Sequence, residues 1–189
     1  MMPELLILGA FGLGLLLAAR SPAAAPLPEL AAQPRRRLTV LEVEQLAQLT
    51  VARGAYDVDP AMLIAMAWIE SGFDPRAVGD DGSSRGLMQI ALRTAEDIQA
   101  RLGGRIRSPD DLFDAAVSMD FAARYVAWLR TWNGARRPDA WVVQAYNGGP
   151  GTAAAGGNSL TRRHLCRYEH TLAAYRAGRT LPNVASLPC

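Results

Sequence analysis

Glu70 closes the apolar run Ala61-Met62-Leu63-Ile64-Ala65-Met66-Ala67-Trp68-Ile69 and is followed by Ser71-Gly72-Phe73-Asp74-Pro75. This context places one carboxyl group at the end of a buried helix. Burial disfavours the ionised form, and the negative end of the helix acts in the same direction. No Lys or Arg stands within four positions to favour the anion. A carboxylic acid so placed is expected to hold a proton near neutral pH and to donate it, which is general acid chemistry. The alternative is an ordinary exposed Glu at a helix C-terminus, disfavoured there by roughly a few tenths of a kcal/mol.

Two further segments carry polar groups in unusual company. Gly82-Ser83-Ser84-Arg85-Gly86-Leu87-Met88-Gln89-Ile90 follows a Gly/Asp loop, and Ala145-Tyr146-Asn147-Gly148-Gly149-Pro150-Gly151 comes later. Each has a plainer reading. Leu87 and Met88 could be core, Tyr146 could be buried with a local partner, and Gly148 to Gly151 could be a turn that lets Asn147 face a cleft. Ser83 and Ser84 could be solvating a loop. Trp68 reads as core, whereas Trp128, Trp132 and Trp141 could offer a stacking surface.

The elements that must position these groups are helical. Thr39-Val40-Leu41-Glu42 reads as a capping box, opening a helix that Gly54 stops. Asp59-Pro60 pairs an N-cap with a proline at the first helical position, so a helix runs from Pro60 to Glu70. That helix is apolar all round and therefore central. Gly79 to Gly86 reads as an exposed loop. Leu92 to Leu102 is helical, and Ser108-Pro109 repeats the cap-then-proline signature. A long amphipathic helix covers roughly residues 115 to 131, with Val117, Phe121, Tyr125 and Trp128 inward. Ala140 to Tyr146 makes a short helix before a Gly-rich turn, and Leu165 to Ala177 the last one. No segment alternates with period two. The reading is an all-α domain of about six helices over residues 39–180, with a tail at 181–189.

Leu5 to Ala19 is nearly all apolar, and Ala23-Ala24-Ala25 follows. The run is short for a spanning helix and has the character of an export signal or membrane anchor over residues 1–25. The segment 26–38 has the Pro/Ala/Arg composition of a linker. The net charge is +2, and every cation outside His is Arg. No dense basic run with interleaved aromatics exists, which argues against nucleic acid as a partner. Cys166 and Cys189 are the two cysteines. They permit one disulfide between the tail and the last helix, or two free thiols. The scattered Cys and His residues show no metal-ligand spacing, so neither metal nor cofactor is expected. His164 and His170 read as surface residues.

Taken together, the segments at 70–75, 82–90 and 145–151 resemble the signature of lytic transglycosylases of the soluble-lytic-transglycosylase type (glycoside hydrolase family 23, related to goose-type lysozyme). Leu112-Phe113-Asp114 leading into Ala123 to Leu129 resembles the family's middle helix. The resemblance covers about residues 45–178. It implies a lysozyme-like helical domain with a cleft that binds peptidoglycan glycan strands. It implies Glu70 as the single acid/base and Ser71 as the partner that follows it. Gly86, Leu87, Met88 and Gln89 match a segment that lines the cleft, Met88 and Gln89 facing sugar, and Ser84 is a further candidate for substrate contact. Tyr146 and Asn147 would stand near the acid and the saccharide. Tyr168 resembles the cleft tyrosine of the last helix, with Tyr175 as its competitor. Ser118 stands where the family often has Asn, and Gly149 where many relatives have Ala.

The implied reaction cleaves the bond between N-acetylmuramic acid and N-acetylglucosamine. Glu70 protonates the leaving oxygen and then takes the proton of the C6 hydroxyl, closing a 1,6-anhydro ring. A lysozyme-like hydrolase would need a second acid to position water. Asp80 and Asp81 are candidates, but Ala91 stands where goose-type relatives carry an acid. A third alternative is a low-turnover peptidoglycan-binding assembly factor of a secretion system or virion. The implied location is the periplasm or cell envelope, where the N-terminal segment could contact the membrane.

Overall fold

The computed structural model describes residues 36–189, apart from the side chain of Asp80. The expected signal or anchor at 1–25 and most of the linker lie outside the described residues. Among the described residues there are six α-helices: α1 Val40–Gly54, α2 Pro60–Ser71, α3 Leu92–Leu102, α4 Ala115–Arg130, α5 Asp139–Ala154 and α6 Ser159–Arg176. Among the described residues no helix is long and apolar enough to cross a membrane.

Helix α2 is the centre of the molecule and packs against α1, α4 and α6. Met62 to Ala67 are all 1% exposed or less, which agrees with their apolar-all-round pattern. Burying each of the larger side chains stabilises the fold by about 1.5–3 kcal/mol. Asp59 caps the first turn through the Ala61 amide at 2.8 Å, and Pro60 follows at the first helical position. Helix α1 opens with the capping box: Thr39 accepts from the Glu42 amide, and the Glu42 carboxylate accepts from the Thr39 amide. Arg36 also reaches that carboxylate and helps hold it down at about 2.

Three features differ from the sequence expectation. First, the segment read as an exposed loop builds a small antiparallel sheet, β1 Val78–Gly79, β2 Ser84–Arg85 and β3 Ile90–Ala91, in the order β1-β2-β3. Val78 pairs with Arg85, and Arg85 pairs with Ile90. Two-residue strands are too short to produce an alternating pattern. Ser84 and Gly86 are consequently buried.

Second, α5 runs on through the expected Gly-rich turn, interrupted at Gly149 (φ 80°, ψ 155°). Pro150 then occupies the first position of the following helical turns, where its missing N–H costs nothing. Third, α6 begins at Ser159, six residues earlier than expected, because Asn158 caps it through the Thr161 amide at 2.9 Å.

Candidate active site

The C-terminus of α2 delivers Glu70 to a cavity of 310 Å³ whose walls include Ser84, Gln89, Ile90, Ala91, Thr94, Ile98, Tyr125, Tyr146 and Asn147. The Glu70 side chain is 14% exposed. The elements meet there for local reasons. Gly72 ends α2 in the left-handed region, its amide donating to the Trp68 carbonyl at 2.9 Å. The Ser71 hydroxyl donates to the Leu87 carbonyl at 2.8 Å and lies 3.1 Å from the Ala67 carbonyl. Ser71 thus ties the end of α2 to the segment that forms the opposite wall.

That segment, residues 86–90, is held from several sides. Gly86 has φ 80°, and a Cβ there would stand 1.8 Å from the backbone oxygen of Leu112. Only glycine fits both the conformation and the space. The Met88 amide donates to the Ser118 hydroxyl at 3.1 Å, and the Met88 carbonyl accepts from the Tyr146 hydroxyl at 2.9 Å. Ser118 is fully buried, so the small hydroxyl residue on α4 serves as the anchor of this wall. Gln89 has φ 47°, a conformation that costs a non-glycine residue about 1–3 kcal/mol. Its side-chain amide offsets this by donating to the carbonyls of Ala77 at 3.0 Å and Gly86 at 2.9 Å.

The phenol of Tyr146 is half-buried against Tyr125, ring centroids 5.6 Å apart. Burial, and then the neighbouring Glu70 carboxyl, push its ionisation well above the usual tyrosine range. It remains a neutral donor. Burial and then Asp97 raise Tyr125 as well.

The structure brings Glu70, Ser84, Gln89, Tyr146 and Asn147 into one cavity wall. Ser71 and Gly86 stand behind it as supports. Met88 departs from the expectation: its side chain is wholly buried in the core and does not line that cavity, and only its backbone is tied into the wall. Tyr168 is 2% exposed, and its hydroxyl has no hydrogen-bond partner among the described residues. It does not line either cavity that contains Glu70, and neither does its competitor Tyr175, whose hydroxyl donates to Glu44 at 2.7 Å. Trp128 stacks on Tyr125 beside an adjoining 200 Å³ cavity that shares Thr94, Ile98 and Tyr125 with the first. Asp81 is exposed in the turn between β1 and β2 and does not line the Glu70 cavity.

His164, expected at the surface, lies at the site instead. It is buried, and its Nε2 stands 3.3 Å from Glu70 Oε1. Burial, and then the Arg167 guanidinium, push the imidazole down to about 4, so it is neutral near pH 7 and the contact is not an ion pair there. The imidazole Nε2 makes no hydrogen bond among the described residues and is a close polar neighbour of the carboxyl group. Thr161, His164, Tyr168 and Thr171 form one buried stripe at helical spacing along α6. That periodicity was available in the sequence, but the stripe is polar and hydropathy does not mark it.

Cys166 and Cys189 are joined as a disulfide, with Cα atoms 5.8 Å apart. Their sulfur atoms and a ring nitrogen of His170 lie within 4.8 Å of one another. The fold therefore makes the cluster that sequence spacing did not reveal, but with both sulfurs in the disulfide only the imidazole is left to bind a metal.

Comparison with known proteins agrees with this geometry. The chain is 33% identical over 114 residues to the membrane-bound lytic murein transglycosylase C of Shigella sonnei, covering 57% of this chain and 32% of that protein. Among solved structures it resembles an inactive mutant of the lytic transglycosylase Slt from Pseudomonas aeruginosa (TM-score 0.57, 18% identity, 72% of this chain and 25% of that one). It also resembles the 70-kDa soluble lytic transglycosylase in complex with bulgecin A (TM-score 0.61, 21% identity, 76% and 26%). The chain thus spans about a third or less of the length of these relatives. Residues 49–164, more than half of the chain, match the transglycosylase SLT domain. That stretch contains Glu70, the 86–90 wall, Tyr146 and Asn147, and by it this chain belongs to the transglycosylase SLT domain family.

Proposed function

We propose that this chain is a peptidoglycan lytic transglycosylase that cleaves the β-1,4 bond between N-acetylmuramic acid and N-acetylglucosamine with closure of a 1,6-anhydro ring. The observation that carries the reading is the lone carboxyl group of its cavity. Among the described residues that line the 310 Å³ cavity, Glu70 is the only acid. A hydrolytic pair would place a second carboxyl group about 5–9.5 Å away to act as nucleophile or to activate water. A single acid instead suits a reaction in which the substrate supplies its own nucleophile.

Glu70 gives its proton to the leaving glycosidic oxygen. The substrate's N-acetyl group shares the developing positive charge at the anomeric carbon. The Glu70 carboxylate then takes the proton of the C6 hydroxyl as that oxygen closes on the same carbon. No water is consumed, and the internal hydroxyl competes well because it is already held near the reacting centre. Tyr146, a neutral phenol anchored on the Met88 carbonyl, and Asn147 fix the saccharide beside the acid. The apolar run at 5–19 and the membrane-bound relative support a place of action in the cell envelope, with glycan strands as partner.

The test is mass spectrometry of muropeptides released from sacculi. Anhydro ends, absent with Glu70→Gln, are the expected result. New reducing ends assign a hydrolase instead. Release at the parent rate by a folded Glu70→Gln chain removes Glu70 from the chemistry.

A further inference from the structure

A second groove, of 780 Å³, shares Glu70 and Gln89 with the first cavity. Its far wall is made by residues outside the family match at 49–164: Arg37 before it, and Arg167 and the tail residues Leu181, Asn183 and Val184 after it. The tail is not loosely placed. Cys189 is bonded to Cys166 on α6, and the Trp68 indole N–H donates to the Pro182 carbonyl at 2.8 Å.

This wall carries two guanidinium groups. Among the described residues neither Arg37 nor Arg167 forms an ion pair, and Arg167 Nε is buried with no hydrogen-bond partner. A buried guanidinium donor left unmatched costs free energy that an incoming acceptor recovers. Arg37 Nη1 lies 2.9 Å from the position a Cβ on Gly72 would take, so its guanidinium sits over the C-terminus of α2, two residues from Glu70. Asp74, which lines the same groove as Glu70, has an oxygen engaged by the Arg76 amide at 2.8 Å. A planar guanidinium fork matches a carboxylate better than it matches a sugar hydroxyl.

We propose that Arg167 and Arg37, held in place by the disulfide-strapped tail, form a carboxylate-binding site for the acidic substituent of the muramyl unit bound at Glu70. The site rests on the glycan-cleaving reading and names what that reading leaves open, the part of the strand outside the sugar ring. Two sources carry the same chemistry. One is the peptide stem. The other is the free lactyl carboxylate of a muramyl unit that has lost its stem.

The experiment measures binding by the full chain carrying Glu70→Gln. The ligands are peptide-bearing strands, amidase-stripped strands, and N-acetylglucosamine oligomers that lack any carboxylate. Adding Arg167→Gln is expected to weaken carboxylate-bearing ligands about tenfold or more, the scale of one charge-assisted hydrogen bond. Arg167→Lys should restore part of the loss and keep its salt dependence. Arg37→Gln, at an exposed position, gives a second variant with little risk to the fold and should act in the same direction.

Loss confined to peptide-bearing strands assigns the stem, loss confined to stripped strands assigns the lactyl group, and loss on both shows that either is taken. Equal loss on the uncharged oligomers, or none on any ligand, overturns the site. A Glu70→Gln chain that still cuts sacculi overturns the catalytic reading and leaves the binding result standing.

Discussion

The Nε2 atom of His164 stands 3.3 Å from Oε1 of Glu70, bringing α6 and the end of α2 into contact at the proposed acid. An imidazole that close to a carboxyl group would ordinarily be expected to gain a proton. Here burial keeps the ring neutral, and Arg167 acts in the same direction. The ring is a neutral polar neighbour of the carboxyl group.

This has a consequence for stability in acid. An imidazole in the unfolded chain titrates near 6.5, and in the fold it is held down to about 4. The unfolded state therefore binds more protons between these values, so stability rises with pH across the window. The contribution is whole above pH 6.5 and is lost as pH falls through 4, amounting to about 3 kcal/mol. Urea unfolding across the window should show that slope, and His164→Gln should flatten it. An unchanged slope in the variant would place the acid sensitivity elsewhere.

Tyr146→Phe removes the hydroxyl that donates to the Met88 carbonyl at 2.9 Å. The carbonyl sits in a part-buried position and loses a partner. The cost to stability is about 1–3 kcal/mol, and the 86–90 wall loses one of its ties. Activity on sacculi is expected to fall more than stability does, because a wall shifted by about 1 Å costs on the order of a hundredfold in rate. Denaturation and turnover measured on the same sample decide this, and parent-like turnover would show that the tie is dispensable.

Much of this architecture was legible from local signals. The Thr39 and Asp59 caps mark the starts of α1 and α2, and Glu70 follows directly from the apolar run. What was not legible has common physical causes. The Gly149 break and Pro150 look like a turn in sequence, yet a proline at a helical first position lets α5 resume. The short strands carry no period. Met88 reads as a cleft residue because its neighbours are, but the left-handed backbone at Gln89 and the anchor on Ser118 turn its side chain into the core. His164 and Tyr168 belong to a buried polar stripe, which only the packing of α6 on α2 and α5 reveals.

Gly86→Ala is the most damaging small change in the site. The new methyl carbon would meet the Leu112 backbone oxygen at 1.8 Å and the Ser118 hydroxyl at 3.1 Å, in a backbone conformation with φ 80°. The carbonyl cannot swing aside as a side-chain tip can. Conformational strain alone is about 1–3 kcal/mol, and displacement of the turn Pro109–Phe113, which carries the Leu112 carbonyl, adds to it. A fall in Tm of several degrees and loss of cleavage are expected. Parent-like Tm would mean that the 86–90 wall is far more pliable than its ties suggest.

The Cys166–Cys189 disulfide closes a loop with a sequence separation of 23. Chain entropy gives about 3 kcal/mol of stabilisation for a loop of that size, mostly by restricting the unfolded state. The pair Cys166→Ser and Cys189→Ser, made together, should lower Tm by that equivalent. The native effect should be local, since the tail keeps the Trp68 to Pro182 hydrogen bond as its second attachment. Hydrogen exchange should therefore speed up in residues 181–189 and leave the amides of α2 protected. If α2 loses protection to the same extent as the tail, the disulfide supports the whole core, and the view of the tail as a separately strapped wall of the groove fails.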